Sequence, residues 1–356
     1  MQLPQLETFT KRQRDNYLLN LWEMQKQRQV LSSLPISIQL PFETACNANC
    51  IFCAQRIKHE SPVADKFDLR HYLIYRKPLH SALTIGFGMV GEPFMYPAFT
   101  NVLRFMQDNF RAAKISFSTN GILLNKKIAS MLGAAKKLHL NISVNAADHL
   151  TYLKVMGVDA FSKVIANIRL VADVQRKNKG LTLSLSYVLM KQNIAGVPDF
   201  INLAAAFNIK EVDLFPLIIT DSNLNKCSLK EDALGKTLKI LRRAARIARH
   251  NNIKLSCLRL DKGTHSWNMF NKRLTCHFPW QDFKIRKNGN IYICCYSTIP
   301  AGNIFKQDMN EIWNGKVYRA YRMTVNTRRL LSNCAACPMK NLNAFSFRNI
   351  DSANLK

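Results

Sequence analysis

Six apolar-patterned stretches read as β-strands: Ile36-Ser-Ile-Gln-Leu-Pro41, Leu83-Thr-Ile-Gly-Phe-Gly88, Lys114-Ile-Ser-Phe-Ser-Thr119, Leu138–Asn145, Leu181–Met190 and Glu211–Ile218. Between the later ones, helical spacing covers residues 97–111, 124–136, 159–178 and 195–207. Repeated strand–helix alternation predicts an α/β fold with a parallel sheet and helices outside it.

Both ends of the chain depart from that rhythm. Residues 8–32 read as an amphipathic helix, with Tyr17, Leu18, Leu21, Trp22 and Leu31 recurring at near-helical spacing among Lys11, Arg12, Arg14, Lys26 and Arg28. It is expected to lie against the outside of the main domain. A capping box, Ser228-Leu-Lys-Glu231, predicts a helix running to about Asn251. Its polar face carries Lys236, Lys239, Arg242, Arg243, Arg246 and Arg249. Further on, Asn288-Gly289 predicts a hairpin turn between Phe283-Lys-Ile and Ile291-Tyr-Ile, and a helix over 308–325 contains Ile312-Trp313. These signals divide the chain into an N-terminal helical extension (1–34), a core (35–260), a C-terminal hairpin and helix extension (261–345) and a tail (346–356).

Composition narrows the class. The chain has 356 residues, 47% of them apolar, which suits a globular protein. No apolar run reaches the length of a membrane span, and Met-Gln-Leu-Pro-Gln-Leu-Glu lacks the pattern of a signal peptide. The ten cysteines fall mainly in metal-type spacings, which argues for a reducing, cytoplasmic setting over a disulfide scaffold. Against 23 acidic residues stand 51 Lys and Arg, a net charge of +28. Such a surface attracts anions: nucleic acid, a phosphorylated substrate, an acidic peptide or an acidic electron-carrier protein.

The chemistry lies in the cysteines. Cys46, Cys50 and Cys53 form a C-x3-C-x2-C triplet directly after the first strand. Three thiolates can hold three irons of a four-iron cubane and leave the fourth open to a ligand. A zinc knot would need a fourth ligand, for which His59 is nearest. A second set follows, in which the hairpin brings Cys276 toward Cys294, and Cys334-Ala-Ala-Cys337 completes four thiols. That is enough for a closed cluster or a zinc ribbon. Cys295 leaves open which of the adjacent pair ligates. Cys227 and Cys257 read as free thiols.

The first triplet, with Phe52 before its last cysteine, resembles the signature of the radical S-adenosylmethionine (SAM) enzymes, and the second set resembles their SPASM/twitch auxiliary-cluster domain in its shorter, one-cluster form. The resemblance covers roughly residues 35–340. It implies a partial (β/α)6 TIM-like barrel with a small C-terminal β-hairpin/helix cluster-binding extension. In barrels of this type chemistry sits at the C-terminal ends of the strands. It implies a SAM-binding [4Fe-4S] cluster on Cys46, Cys50 and Cys53, an auxiliary [4Fe-4S] cluster on Cys276, Cys294, Cys334 and Cys337, and SAM itself. Gly91-Glu92 is similar to the family's Gly-Gly-Glu segment, with Val90 replacing the first glycine. Ser118-Thr-Asn120-Gly resembles the end of strand three, and Ser143 and Asn145, taken as alternating on strand four, match SAM-contacting positions. Tyr187-Val-Leu-Met190 and Phe215-Pro-Leu217 match apolar walls around adenine.

The implied activity is reductive cleavage of SAM to a 5′-deoxyadenosyl radical that abstracts a substrate hydrogen. The outcome would be oxidation or dehydrogenation, epimerisation or cross-linking of a small carbohydrate-like molecule or a peptide. An acidic electron donor such as flavodoxin or ferredoxin would serve it. Only 45 residues precede Cys46, which favours a small substrate over a leader-bearing peptide. The alternatives are an RNA-modifying radical SAM enzyme, prompted by the charge, and a zinc-held nucleic-acid-binding module without catalysis. The residues do not single out an acid–base group or hydrogen donor among Tyr187, His265 and His277.

Overall fold

The structure is a computed structural model describing residues 6–53, 76–219, 221–229, 234–257, 276–294, 297–327, 329–335 and 337. His59, His265 and Cys295 lie outside the described residues. Ten strands form a single sheet: β1 (Ser37–Glu43), β2 (Thr84–Val90), β3 (Lys114–Thr119), β4 (Leu138–Ser143), β5 (Leu181–Leu189), β6 (Glu211–Pro216), β7 (Lys254–Cys257), β8 (Asp282–Ile285), β9 (Asn290–Tyr292) and β10 (Gly302–Asn303). Its order is β10-β9-β8-β1-β2-β3-β4-β5-β6-β7. Strands β1 to β7 are parallel in sequence order, and β8 adds to the free edge of β1, also parallel. The expected hairpin supplies β9, antiparallel to β8. The sheet is open, as a partial barrel requires, and holds two parallel strands more than the six expected: β8, from the expected hairpin, and β7. The β7 strand, Lys254-Leu-Ser-Cys257, is only four residues long, too short to display a period.

Alternation gives the sheet two unlike faces. Ile38, Leu40 and Phe42 of β1, Ile115 and Phe117 of β3, Leu138, Leu140 and Ile142 of β4, and Leu183 and Leu185 of β5 are buried on one face. Helices cover it: α1 (Lys11–Gln25) and α2 (Arg76–Ser81) at one side, then α3 (Phe99–Asn109), α4 (Lys126–Gly133), α5 (His149–Met156), α6 (Phe161–Lys177), α7 (Val197–Ala206) and α8 (Leu234–His250). Phe99 of α3 meets Phe42, Phe87 and Phe117 edge to face, with ring centroids 4.9, 5.5 and 5.0 Å away. The intervening residues, Gln39, Ser116, Ser118, His139, Asn141, Ser143, Ser184, Ser186, Glu211 and Asp213, are polar and line the concave inner face.

Three helices differ from expectation, and the one expected over 308–325 is broken at Asn314-Gly315 into Met309–Trp313 and Lys316–Thr324. α1 spans Lys11–Gln25 and buries Gln13, Tyr17, Asn20, Leu21, Glu23 and Met24, leaving Leu18 and Trp22 about half exposed. Its inward face carries polar side chains with specific partners, so apolar periodicity alone mislocates it. Gln13 donates to the Ala82 carbonyl, and Glu23 accepts from the Ser32 and Ser33 amides and the Ser33 hydroxyl. α8 is described from Leu234 onward, and Ser228, the expected cap, instead ends a 3-10 turn, Ser222–Cys227, capped by Asp221. Glu231, the second half of the expected capping box, lies outside the described residues.

The N-terminal and C-terminal segments pack on each other. α9 (Phe278–Gln281), α10 (Met309–Trp313) and α11 (Lys316–Thr324) are tied to residues 20–33. Trp280 Nε1 donates to Arg28 O at 3.0 Å and Trp313 Nε1 to Ser33 O at 2.8 Å. Arg322 of α11 is fully buried between the Trp313 and Tyr318 rings and donates to Pro279 O, Gln29 O and Asn314 Oδ1. Replacing it removes three donors at once, and each stranded acceptor costs about 1–3 kcal/mol. Arg322→Leu should therefore lower unfolding stability by on the order of 3 kcal/mol or more, read by denaturant melting. A loss under about 1 kcal/mol would show that the two ends do not depend on this guanidinium.

Candidate active site

The loop after β1 holds Cys46, Cys50 and Cys53 at the C-terminal end of the parallel sheet. Backbone from neighbouring elements fixes it. Thr44 N donates to Val90 O, and Glu92 N to Ala45 O. Asn49 N donates to Met156 O at 2.9 Å and Ile51 N to Val155 O at 3.0 Å, so the end of α5 is stitched to the loop. Two glycines make these approaches geometrically feasible. Gly91 has φ +105° and a Cβ there would stand 1.8 Å from Thr44 O; Gly157 has φ +65° and its Cβ would stand 2.3 Å from Asn49 O.

Glu92 is buried at the end of β2. Its carboxylate accepts from Thr119 Oγ1 at 2.5 Å, Asn120 N at 2.8 Å and Phe94 N at 3.3 Å. No cationic side chain pairs with it among the described residues. Burial pushes its pKa up, against those three hydrogen bonds. A buried carboxylate with donors and no cation suits a ligand ammonium. Asn120 joins the same network, donating from Nδ2 to Asn47 Oδ1 at 2.7 Å and, at 3.8 Å, to Cys46 Sγ. Although Cys46 is exposed as a residue, desolvation of its thiol holds the pKa up. Glu92 and Cys53 add to that rise, while Ala48 N and Asn120 oppose it.

The remaining expected contacts are placed as follows. Phe52 is half-buried against the core. Ser143 ends β4 and shares a 3.1 Å hydrogen bond with Ser186. Asn145 lies beyond the strand with φ +61°, so it does not alternate with Ser143. Its amide accepts from Val188 N and donates to Met156 Sδ. Met190 is buried, its backbone N–H held by Asn193 Oδ1. Tyr187 faces the helices, donating to Asn193 O against the Phe200 ring.

The other thiols gather at the opposite end of the sheet. Asp282, the first residue of β8, pairs with Ser37, the first residue of β1. Cys276 precedes that end and Cys294 follows the antiparallel β9 toward it. Burial and then the nearby Cys294, Cys334 and Cys337 push the Cys276 thiol up to about 12, against a bond from Phe278 N. Cys337 N donates to Cys334 O at 3.4 Å, and Asn326 clamps Cys276 through both its N–H and its carbonyl. Among the described residues no three Cys, His, Asp or Glu side chains form a group that could hold one metal ion. His277 stacks on Phe278 beside these thiols. Cys227 is a buried free thiol that accepts from Gln192 Nε2.

Between the two ends lies an open cavity of about 320 Å³, lined by Ser37, Gln39, Thr84, Gly86, Ser116 and Ser118, with Phe87 and Phe117. Beside it runs a ladder: Ser116 to His139 at 3.3 Å, His139 to Ser184 at 3.0 Å, Asn141 to Ser184 at 2.8 Å, Ser186 to Asn141 at 2.7 Å, then Ser143. Burial and then Lys114 and Lys254 lower the His139 pKa to about 4, which keeps the imidazole neutral near pH 7. The sequence reading missed this inner face, although its signal, polar residues at every second strand position, was present.

Family models match this chain twice: the radical SAM superfamily at residues 40–204, and the SPASM iron–sulfur cluster-binding domain at 276–338. The chain belongs to the radical SAM superfamily. It is an enzyme class that binds SAM and a [4Fe-4S] cluster, and the SPASM domain adds auxiliary cluster binding. Curated relatives include the AdoMet-dependent heme synthase of Methanosarcina barkeri, 22% identical over 337 residues, 87% of this chain and 90% of that protein. Another is the probable GTP 3′,8-cyclase of Sulfolobus acidocaldarius, 28% identical over 184 residues. That match spans 51% of this chain and only 55% of the cyclase. In fold, the chain is similar to Streptococcus suis SuiB bound to S-adenosylmethionine (TM-score 0.67, 17% identity, 92% of this chain and 75% of that one). It is also similar to anSMEcpe with bound AdoMet and the Cp18Cys peptide (TM-score 0.61, 19% identity, 85% of each chain).

The contact at Gly157 yields a test. Gly157→Ala puts a Cβ against the Asn49 carbonyl inside the cysteine loop. Reconstituted protein should lose about one cluster's worth of iron, relative to wild type, while the auxiliary signal persists in paramagnetic resonance. Full iron content would show that α5 does not set the loop.

Proposed function

We propose that this enzyme oxidises a polar substrate by hydrogen abstraction inside the concave sheet. Cys46, Cys50 and Cys53 hold the SAM-binding cluster, and Cys276, Cys294, Cys334 and Cys337 the auxiliary one. Residues 35–260 then form the radical core and 261–345 the auxiliary segment. When bound, the first cluster and SAM supply the abstracting radical, and the second supplies a closed one-electron acceptor. Glu92 receives the SAM ammonium, with Gly91, Asn120, Ser143, Asn145 and Met190 shaping the rest of that pocket.

The observation that carries this reading is the separation of the two thiol groups along β1. Its seven residues, at about 3.3 Å each, put them roughly 20 Å apart at opposite ends of a polar cavity. Gln39, Thr84 and Ser118 face that cavity without a side-chain hydrogen bond among the described residues, so they are available to hydroxyl or amide groups of a substrate. A peptide side chain or a small hydroxylated molecule meets that chemistry. The first is supported by similarity to SuiB bound to precursor peptide SuiA and to anSMEcpe bound to a peptide. The exposed row Lys236, Lys239, Arg242, Arg243 and Arg246 on α8 complements an acidic electron carrier. No helix among the described residues is long and apolar enough to cross a membrane.

The deciding experiment compares two variants. Replacing Cys46, Cys50 and Cys53 by Ala should abolish 5′-deoxyadenosine formation with a chemical reductant. Replacing Cys334 and Cys337 should leave it measurable but uncoupled from oxidised product, in assays offered peptides, polyols and RNA. Deoxyadenosine from the triple variant sinks the reading; turnover only on RNA replaces its substrate. Separately, reversing Arg242, Arg243 and Arg246 to Glu should slow reduction by flavodoxin about tenfold at low salt and flatten its salt dependence. An unchanged rate would remove α8 from electron delivery.

A further inference from the structure

Tyr152 lies on α5, one turn before Met156, and no part of its surface is exposed. Its hydroxyl has no hydrogen-bond partner among the described residues. Buried phenols normally find one, because an unmet donor costs about 1–3 kcal/mol. The ring is held in place, tilted against Phe161 at 5.6 Å.

The helix that carries Tyr152 is joined to the cysteine loop. The Val155 and Met156 carbonyls of the same helix accept from the Ile51 and Asn49 amides, and Met156 Sδ lies 3.6 Å from Cys50 Sγ. Cys50, Cys46 and Glu92 are all near enough, after burial itself, to hold the phenol's pKa up. An ordinary phenol is protonated near neutral pH, so the group is a donor. A neutral thiol is a poor acceptor, whereas an iron-bound thiolate is a good one.

We propose that Tyr152 donates a hydrogen bond to the Cys50 thiolate of the SAM-binding cluster and thereby raises that cluster's reduction potential. This rests on Cys46, Cys50 and Cys53 being its ligands. Donors to cluster sulfur favour the reduced, more negative state, so the hydroxyl makes the first electron easier to load. Tyr152 is thus a positioning and tuning residue, touching neither SAM nor substrate.

The test uses reconstituted full-length protein without SAM. In a redox titration followed by paramagnetic resonance, Tyr152→Phe should move the midpoint of the SAM-binding cluster to a more negative value, leave the auxiliary cluster's midpoint in place and keep iron content. In wild type grown with ring-deuterated tyrosine, the reduced SAM-binding cluster should show a ring-deuteron coupling that the variant lacks. An unmoved midpoint overturns the proposal. Should the variant lose its cluster, the labelled wild type still decides: no deuteron coupling overturns it. Failure of the ligand assignment is distinct, since then the Cys46, Cys50 and Cys53 triple variant would keep this cluster's signal.

Discussion

Everything at both ends of this molecule depends on how β1 is paired. It hydrogen-bonds in parallel to β2 on one edge and to β8 on the other, so its register is fixed twice. A slip of one residue would turn Ile38, Leu40 and Phe42 into the cavity and Ser37 and Gln39 into the helices. The same register places the Cys46 loop beyond one end and Cys276 and Cys294 beyond the other. Because β8 comes from the far end of the chain, the auxiliary segment is part of the sheet, and the N-terminal residues seal it through Trp280, Trp313 and Arg322.

The inner face is a compromise between folding and function. A barrel interior filled with branched apolar side chains would be more stable. Here Ser116, His139, Asn141, Ser184, Ser186 and Ser143 satisfy one another instead, which limits the cost of burying them. The ladder carries no charge near pH 7, since Lys114 and Lys254 help keep His139 neutral. The residues left out of the ladder, Gln39, Thr84 and Ser118, are those the proposed function assigns to a substrate.

Much of this was legible in the sequence, for identifiable reasons. Strands of six or more residues announced themselves, whereas β7, with four, did not. The cysteine spacings pointed to two groups of thiols because spacing is a local property. Asn145 was misread as a strand residue, since nothing local shows that the backbone turns left-handed there. The inward face of α1 was hidden because Gln13, Asn20 and Glu23 are buried by partners as distant in sequence as Ala82 and Trp280. Tyr152 could not be found at all from sequence. Its interest lies in a missing partner, which only three-dimensional packing reveals.

The cysteine loop is left incomplete in two opposite electrical senses. Among the described residues Glu92 is a buried acceptor with three donors and no cation, and Tyr152 is a buried donor with no acceptor. In an ordinary core each would be a defect, and together they would cost several kcal/mol. In the function proposed above, SAM would bring an ammonium and a thiolate-ligated cluster electron-rich sulfur, so the bound groups would complete both. Two unpaired groups of opposite sense, one on β2's end and one on α5, are hard to account for by packing alone. They are what a site built to bind an ammonium and a thiolate cluster side by side requires.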